Sequence, residues 1–123
     1  GLADPADSGG PLQVLPGRLE IIDGPESGRM LLLAFPLATL PTEIALGRAD
    51  APWPHLLLRA PGVSLRHAAL RFQPPVWSIR SLVRQQPVLV NDAPLLPPAE
   101  HTLRDRDHIR IGSVQLLFHA RPA

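Results

Sequence analysis

Sixteen prolines fall among the 123 residues, about three times the usual share, and with nine glycines they cut the chain into short pieces. Proline has no amide to donate and its ring clashes with the preceding helical turn, so a three-turn helix has almost nowhere to form. The intervals left over are short and alternate apolar with polar residues, which is the period of a strand. The spacing predicts an all-β domain: a sandwich of about eleven short, mostly antiparallel strands with turns every 8–12 residues or so. At 13.4 kDa the chain is large enough for one core and too small for two.

Residues 1–17 are rich in Gly, Pro, Asp and Ser and read as a flexible tail or linker, a tether to a larger protein or assembly. Residues 18–120 form the sandwich and 121–123 a short tail. The first strand is expected at 18–23, a glycine-bounded hairpin turn at 24–28, and a second strand at 29–35 buried on both faces. A third follows at 42–46, running into Gly47-Arg48. Shorter runs at 55–58, 68–72, 76–80, 88–90 and 93–96 come next. A hairpin of 108–111 and 114–118 closes the chain around Gly112-Ser113. A short turn at 80–86 is the best place for any helix.

Charge and composition remove several functions. There is no cysteine, so disulfides, thiolate catalysis and cysteine-ligated zinc are excluded. All twelve basic residues are arginine, which removes Schiff-base and Walker-type lysines and leaves planar forks suited to phosphate or carboxylate. A net charge of +1 with acids and bases interleaved argues against a nucleic-acid module. No apolar run approaches the roughly 18 residues of a membrane span, and no signal peptide opens the chain, so membrane insertion is not expected and the cytoplasm is favoured. The five histidines lack metal-ligand spacing, and neither a metal nor another cofactor is expected.

The polar residues that stand out lie in Val63-Ser64-Leu65-Arg66-His67-Ala68-Ala69-Leu70-Arg71-Phe72, which begins just after the Pro61-Gly62 turn and ends as a strand. Ser64 and His67 therefore sit where a loop feeds a sheet, a position that is both exposed and rigidly held. A Ser–His hydrolase also needs an orienting acid and an oxyanion hole, and no Gly-x-Ser-x-Gly elbow is present, so an enzyme is not expected. Gly47-Arg48, Asn91-Asp92 and Asp105-Arg106-Asp107 are each, taken alone, ordinary turn chemistry, and Trp53 and Trp77 are packing residues at the core or its rim.

Their order is more specific. Gly47-Arg48, then Val63-Ser64-x-x-His67-Ala68-x-Leu70, then Leu89-Val90-Asn91-Asp92-x-x-Leu95, then Leu103-x-x-x-Asp107-x-Ile109-x-Ile111-Gly112 resembles the forkhead-associated (FHA) domain family over roughly residues 19–119. The resemblance implies a β-sandwich that binds phosphothreonine peptides with the loops at one end. It assigns phosphopeptide contacts to Arg48 and Ser64 and to the loop residues Leu65, Gln85 and Gln86. Gly47, where the strand end turns sharply, His67, which braces the loop, and Asn91 become supports of the site. A forked arginine suits the roughly −1.5 to −2 charge of phosphothreonine, and a hydroxyl with loop N–H groups completes such a cradle.

The sequence departs from the family at three positions. Leu65 stands where Arg or Asn is usual, Gln86-Pro87-Val88 aligns with Asn-Gly-Thr, and Arg106 replaces the glycine of a Gly-Asp turn. The implied function is a phosphothreonine-dependent protein-interaction module in signalling or regulated assembly. The alternative is a phosphate-independent scaffold domain, as in bacterial secretion machines, using an apolar surface near Trp53 and Leu65.

Overall fold

Alternating side chains and frequent turns give two sheets facing each other across a single core. The computed structural model describes residues 10–48 and 54–121. Eleven strands occur among them: β1 (Leu12–Asp23), β2 (Met30–Pro36), β3 (Ile44–Arg48), β4 (Leu56–Leu58), β5 (Ala68–Gln73), β6 (Val76–Ser81), β7 (Leu89–Val90), β8 (Ala93–Pro94), β9 (Glu100–Thr102), β10 (His108–Ile111) and β11 (Val114–His119). One sheet runs β2-β1-β11-β10-β7-β8 and the other β4-β3-β5-β6-β9. The β3–β4 ladder is parallel; the other ladders are antiparallel.

The all-β sandwich is as expected, and so are the Asn91-Asp92 turn and the closing hairpin, in which Ile111 pairs Val114. Leu19, Ile21, Leu33, Ile109, Ile111, Leu116 and Phe118 of the first sheet meet Ile44, Leu46, Leu58, Leu70 and Ile79 of the second, all nearly fully buried. Removing that apolar surface from water is the main driving force for the fold.

Several expectations need correction. The first strand starts at Leu12, not Arg18, because a chain kinked by proline and glycine still finds partners. Leu12 and Val14 pair Pro36 and Ala34, and the register shifts before Arg18 resumes opposite Leu32. The kink crosses Trp77, whose Nε1–H donates to the Pro16 carbonyl at 2.8 Å. Gly17 there has φ +93, and a Cβ would crowd the Trp77 indole. Trp77 is thus a core residue, packed on Phe72 at 4.7 Å between ring centroids.

β2 is not buried on both faces. Leu31, Leu33 and Phe35 point inward while Met30 and Leu32 are exposed, since β2 is the edge of its sheet with one face toward solvent. β3 lies two residues later than expected, so Gly47 and Arg48 belong to the strand rather than to a turn. The one helical turn described is a 3-10 segment at Leu37–Thr39, not at 80–86. The expected role of Trp53 falls outside the described residues.

Candidate functional site

β3 carries the site because its last two residues run alongside the loop that enters β5. Gly47 is fully enclosed, and a Cβ there would overlap the Leu65 carbonyl, with the Leu65 carbonyl carbon only 2.7 Å away. Its φ is not positive. Glycine is required here for a close approach of two backbones, not for the sharp turn expected from the sequence. With the chains this close, the Arg48 N–H donates to the Ser64 carbonyl at 3.1 Å. Arg48 and Ser64 are thereby fixed side by side, with Arg48 exposed and Ser64 half-buried.

His67 holds the other side of that loop. It is fully buried, and its own N–H donates to the Leu46 carbonyl at 2.8 Å. Nδ1 accepts the Ser64 N–H at 3.0 Å. The ring proton therefore sits on Nε2, which donates to the Gln86 carbonyl at 2.9 Å. Burial pushes the His67 pKa down, against the opposing pull of the Gln86 carbonyl, so the neutral ring is the form this geometry uses. One imidazole ties the 64–66 loop to the 82–88 loop through two hydrogen bonds, and no acid orients it as a base.

The 82–88 loop has a second anchor that the sequence reading missed. Ser81 is buried, and its hydroxyl donates to the Val83 carbonyl at 2.8 Å while accepting the N–H groups of Val83 and Val88, each at 3.3 Å. The signal was faint: a serine at the inward position of an alternating strand, which needs partners once buried. Pinned there and at Gln86, the loop exposes Arg84, Gln85 and Gln86. Gln86 takes the left-handed conformation, φ 54, a region that asparagine enters more readily than glutamine. Its carbonyl faces His67 while its side chain is exposed.

A depression of about 590 Å³ lies between these loops, lined by Ser64, Val83, Arg84, Gln85 and Gln86. The structure thus brings Ser64, Gln85 and Gln86 together, with Arg48 adjoining through its bond to Ser64. Leu65 stands at the loop tip, 48 % exposed. Asn91 is not brought to this group. Its amide donates to Asp107 at 2.9 Å and its carbonyl accepts the His108 N–H at 2.9 Å, bracing the β7–β8 turn against the β9–β10 connection.

Asp107 in turn accepts from the Arg104 N–H and bonds His101, at 2.8 and 2.9 Å. Burial raises its pKa, but the hydrogen bonds from Asn91, Arg104 and His101 outweigh that and hold the carboxyl below the usual range. Next to it, Arg106 adopts φ 71, a conformation that glycine takes without strain.

A larger hollow of about 970 Å³ opens beside Leu15, Leu40, Phe72 and Glu43, away from these loops. Its charges are already matched: Arg80 forks onto Glu43 at 2.9 and 3.0 Å, and Arg71 reaches Glu43 and Glu100 at 3.5 and 3.8 Å. Among the described residues no cluster of three metal-ligating side chains occurs, and no helix is long and apolar enough to cross a membrane.

The chain resembles several solved structures over most of its length. One, from a study of phosphothreonine-dependent FHA domain interactions, is 27 % identical with a TM-score of 0.70, covering 88 % of this chain and 99 % of the other. The solution structure of an FHA domain from an Arabidopsis thaliana hypothetical protein is 25 % identical, with a TM-score of 0.73 and coverage of 96 % and 97 %. The FHA domain of FhaA, complexed with the intracellular domain of a second protein, is 27 % identical, with a TM-score of 0.67 and coverage of 84 % and 99 %. No curated protein sequence matches the chain. The sequence model of the FHA domain matches residues 44–112, from the first residue of β3 to the turn between β10 and β11, which takes in both loops of the site and more than half of the sequence. With that match and the same sandwich in its structural relatives, the chain belongs to the FHA domain family.

Proposed function

We infer that this domain is a non-enzymatic module that recognises a phosphothreonine-containing segment of a protein partner, with Arg48 and Ser64 at the phosphate and Gln85 and Gln86 along the peptide. One observation carries the reading: the Gly47–Leu65 approach and the 3.1 Å Arg48–Ser64 bond hold a guanidinium-bearing residue and a hydroxyl-bearing residue together at an exposed loop edge. A forked cation and a hydroxyl are complementary to a phosphate dianion. The structural relative studied for phosphothreonine-dependent interactions supports the same reading. Its setting is signalling or regulated assembly in the cytoplasm.

Calorimetric titration with a phosphothreonine peptide library tests it. Binding is expected that vanishes on dephosphorylation and that Arg48→Ala and Ser64→Ala each weaken tenfold or more, the scale of one charge-assisted hydrogen bond. Equal binding of the unphosphorylated peptides overturns it. That outcome would favour a phosphate-independent assembly domain, for which exposed Leu65 is the specific observation.

A further inference from the structure

The interleaving of acids and bases that holds for the whole chain fails over the stretch that supplies Ser64 and the 82–88 loop. From Ala51 to Asn91 the sequence contains no aspartate or glutamate and five arginines: Arg59, Arg66, Arg71, Arg80 and Arg84. The fold sorts these five. Arg71 and Arg80 lie on the outer face of the second sheet and are neutralised by Glu43 and Glu100, which come from outside the acid-free stretch. Arg59 precedes the 60–67 loop, and its backbone N–H donates at 3.2 Å to Glu26, which is itself paired with Arg29. Arg66 and Arg84 are left on the two loops that border the Ser64 depression, both exposed.

Arg84 lines that depression together with Ser64. Among the described residues, the two loop segments around it (60–67 and 82–88) hold these two arginines and no carboxylate. A phosphothreonine brings about −1.5 to −2 charges, so one guanidinium leaves it under-neutralised and two match it. With Arg48 already assigned to the phosphate, Arg84 completes the match and Arg66 exceeds what one phosphate needs. Arg84 at the depression and exposed Arg66 on the loop that carries Ser64 add positive potential, which favours a multiply anionic ligand.

Building on the phosphothreonine reading, we propose that Arg84 is a second phosphate-binding guanidinium beside Ser64, and that the loop edge selects a phosphothreonine accompanied by a further anionic group. That group is a flanking Asp or Glu or a second phosphorylated residue, drawn by Arg66. Arg84 thereby supplies the charged contact that the family places after the serine and that Leu65 lacks. An arginine two residues before Gln86 reaches the depression from the opposite loop.

The test is a titration of the whole domain with four synthetic peptides: phosphothreonine with neutral flanks, with Asp and Glu flanks, with a second phosphoserine, and the acidic-flank peptide unphosphorylated. The acidic-flank or the doubly phosphorylated peptide should bind at least tenfold more tightly than the neutral one, and the tighter of the two names the source of the second charge. Arg84→Ala should weaken all phosphopeptides about tenfold, with partial recovery in Arg84→Lys. Arg66→Ala should abolish the preference for the extra charge while sparing the neutral-flank peptide.

Equal affinity for neutral and acidic phosphopeptides, or an Arg84→Ala variant that binds like the parent, overturns this proposal and leaves the phosphothreonine reading standing. Binding of the unphosphorylated acidic peptide as tight as its phosphorylated form overturns both. Both variants change exposed side chains, and superimposable circular dichroism and melting curves establish that they fold.

Discussion

Two groups of arginines on one small sandwich have opposite surroundings. On the outer face of the second sheet, Arg80 makes a two-pronged contact with Glu43, which draws the Glu43 carboxyl below its usual range and raises the Arg80 guanidinium. Arg71 sits between Glu43 and Glu100. At the loop edge, Arg66 and Arg84 stand among serine, glutamine and apolar residues, with no carboxylate in the described segments 60–67 and 82–88. One residue type is used in two ways. Where counter-charges are built in, the arginines close a surface and have little left for a ligand. Where the described segments 60–67 and 82–88 bring none, the guanidinium charge is left for an anionic ligand to match.

The largest effect should come from the backbone that creates the loop edge. Gly47→Ala places a methyl group onto the Leu65 carbonyl, and backbone cannot move aside as a flexible side chain would. We expect a loss of about 3 kcal/mol in chemical denaturation, the upper end for overpacking, and loss of any phosphopeptide binding. Parental stability in the Gly47→Ala protein would mean that the Arg48–Ser64 juxtaposition does not depend on this contact.

His67 comes next. Replacing it with Ala removes the acceptor for the Ser64 N–H and the donor to Gln86, leaving two part-buried backbone groups unsatisfied. A cost of about 2–3 kcal/mol is expected from those groups and the vacated volume. Amide hydrogen exchange should accelerate in residues 64–66 and 82–88 and leave the Glu43–Arg80 face unchanged. Uniform acceleration over both regions would break the distinction between them.

The sequence disclosed the sandwich more fully than it disclosed the site. Period-two patterns such as Val76-Trp77-Ser78-Ile79-Arg80 and the turn at Asn91-Asp92 are local signals, and the fold respects them. The sequence places residues 1–17 in a tail by composition and so starts β1 too late, whereas the bend at Pro16-Gly17 is held by Trp77, sixty-one positions from Pro16. Gly47 was legible as special but not for its actual reason, since the Leu65 carbonyl that forbids a Cβ comes from another segment. Asn91 looked like a support of the loops and braces a different turn. Arg84 carried no motif; only folding shows that it shares a depression with Ser64.

A smaller effect is expected from acid. Folding lowers the His67 pKa, so between the folded and unfolded values the unfolded chain binds more protons, and stability rises with pH there. The contribution of neutral His67 is complete above about pH 6.5 and is lost as pH falls through the folded value. Asp107, also lowered, keeps its contribution down to about pH 4 and loses it below, as pH falls through its folded value. Between pH 7 and 5 the melting temperature should therefore fall, and a His67→Phe protein should show a flatter dependence. Equal slopes for the two proteins would assign the change elsewhere.

The smallest effect should be on the paired side of the comparison. Arg80→Ala breaks a fork that is about one-third exposed on each partner, where solvent screening limits an ion pair to roughly 0.2–1 kcal/mol. Glu43 keeps Arg71 within 3.5 Å, so its carboxylate is not stranded. Stability should drop by no more than that range, and phosphopeptide affinity should stay within twofold of the parent, against the tenfold loss expected for Arg84→Ala. The two substitutions remove the same charge from neighbouring stretches of chain, so a general electrostatic attraction would weaken binding in both. A loss in Arg80→Ala as large as in Arg84→Ala would show that the domain attracts its ligand through overall charge and that the loop edge holds no privileged arginines.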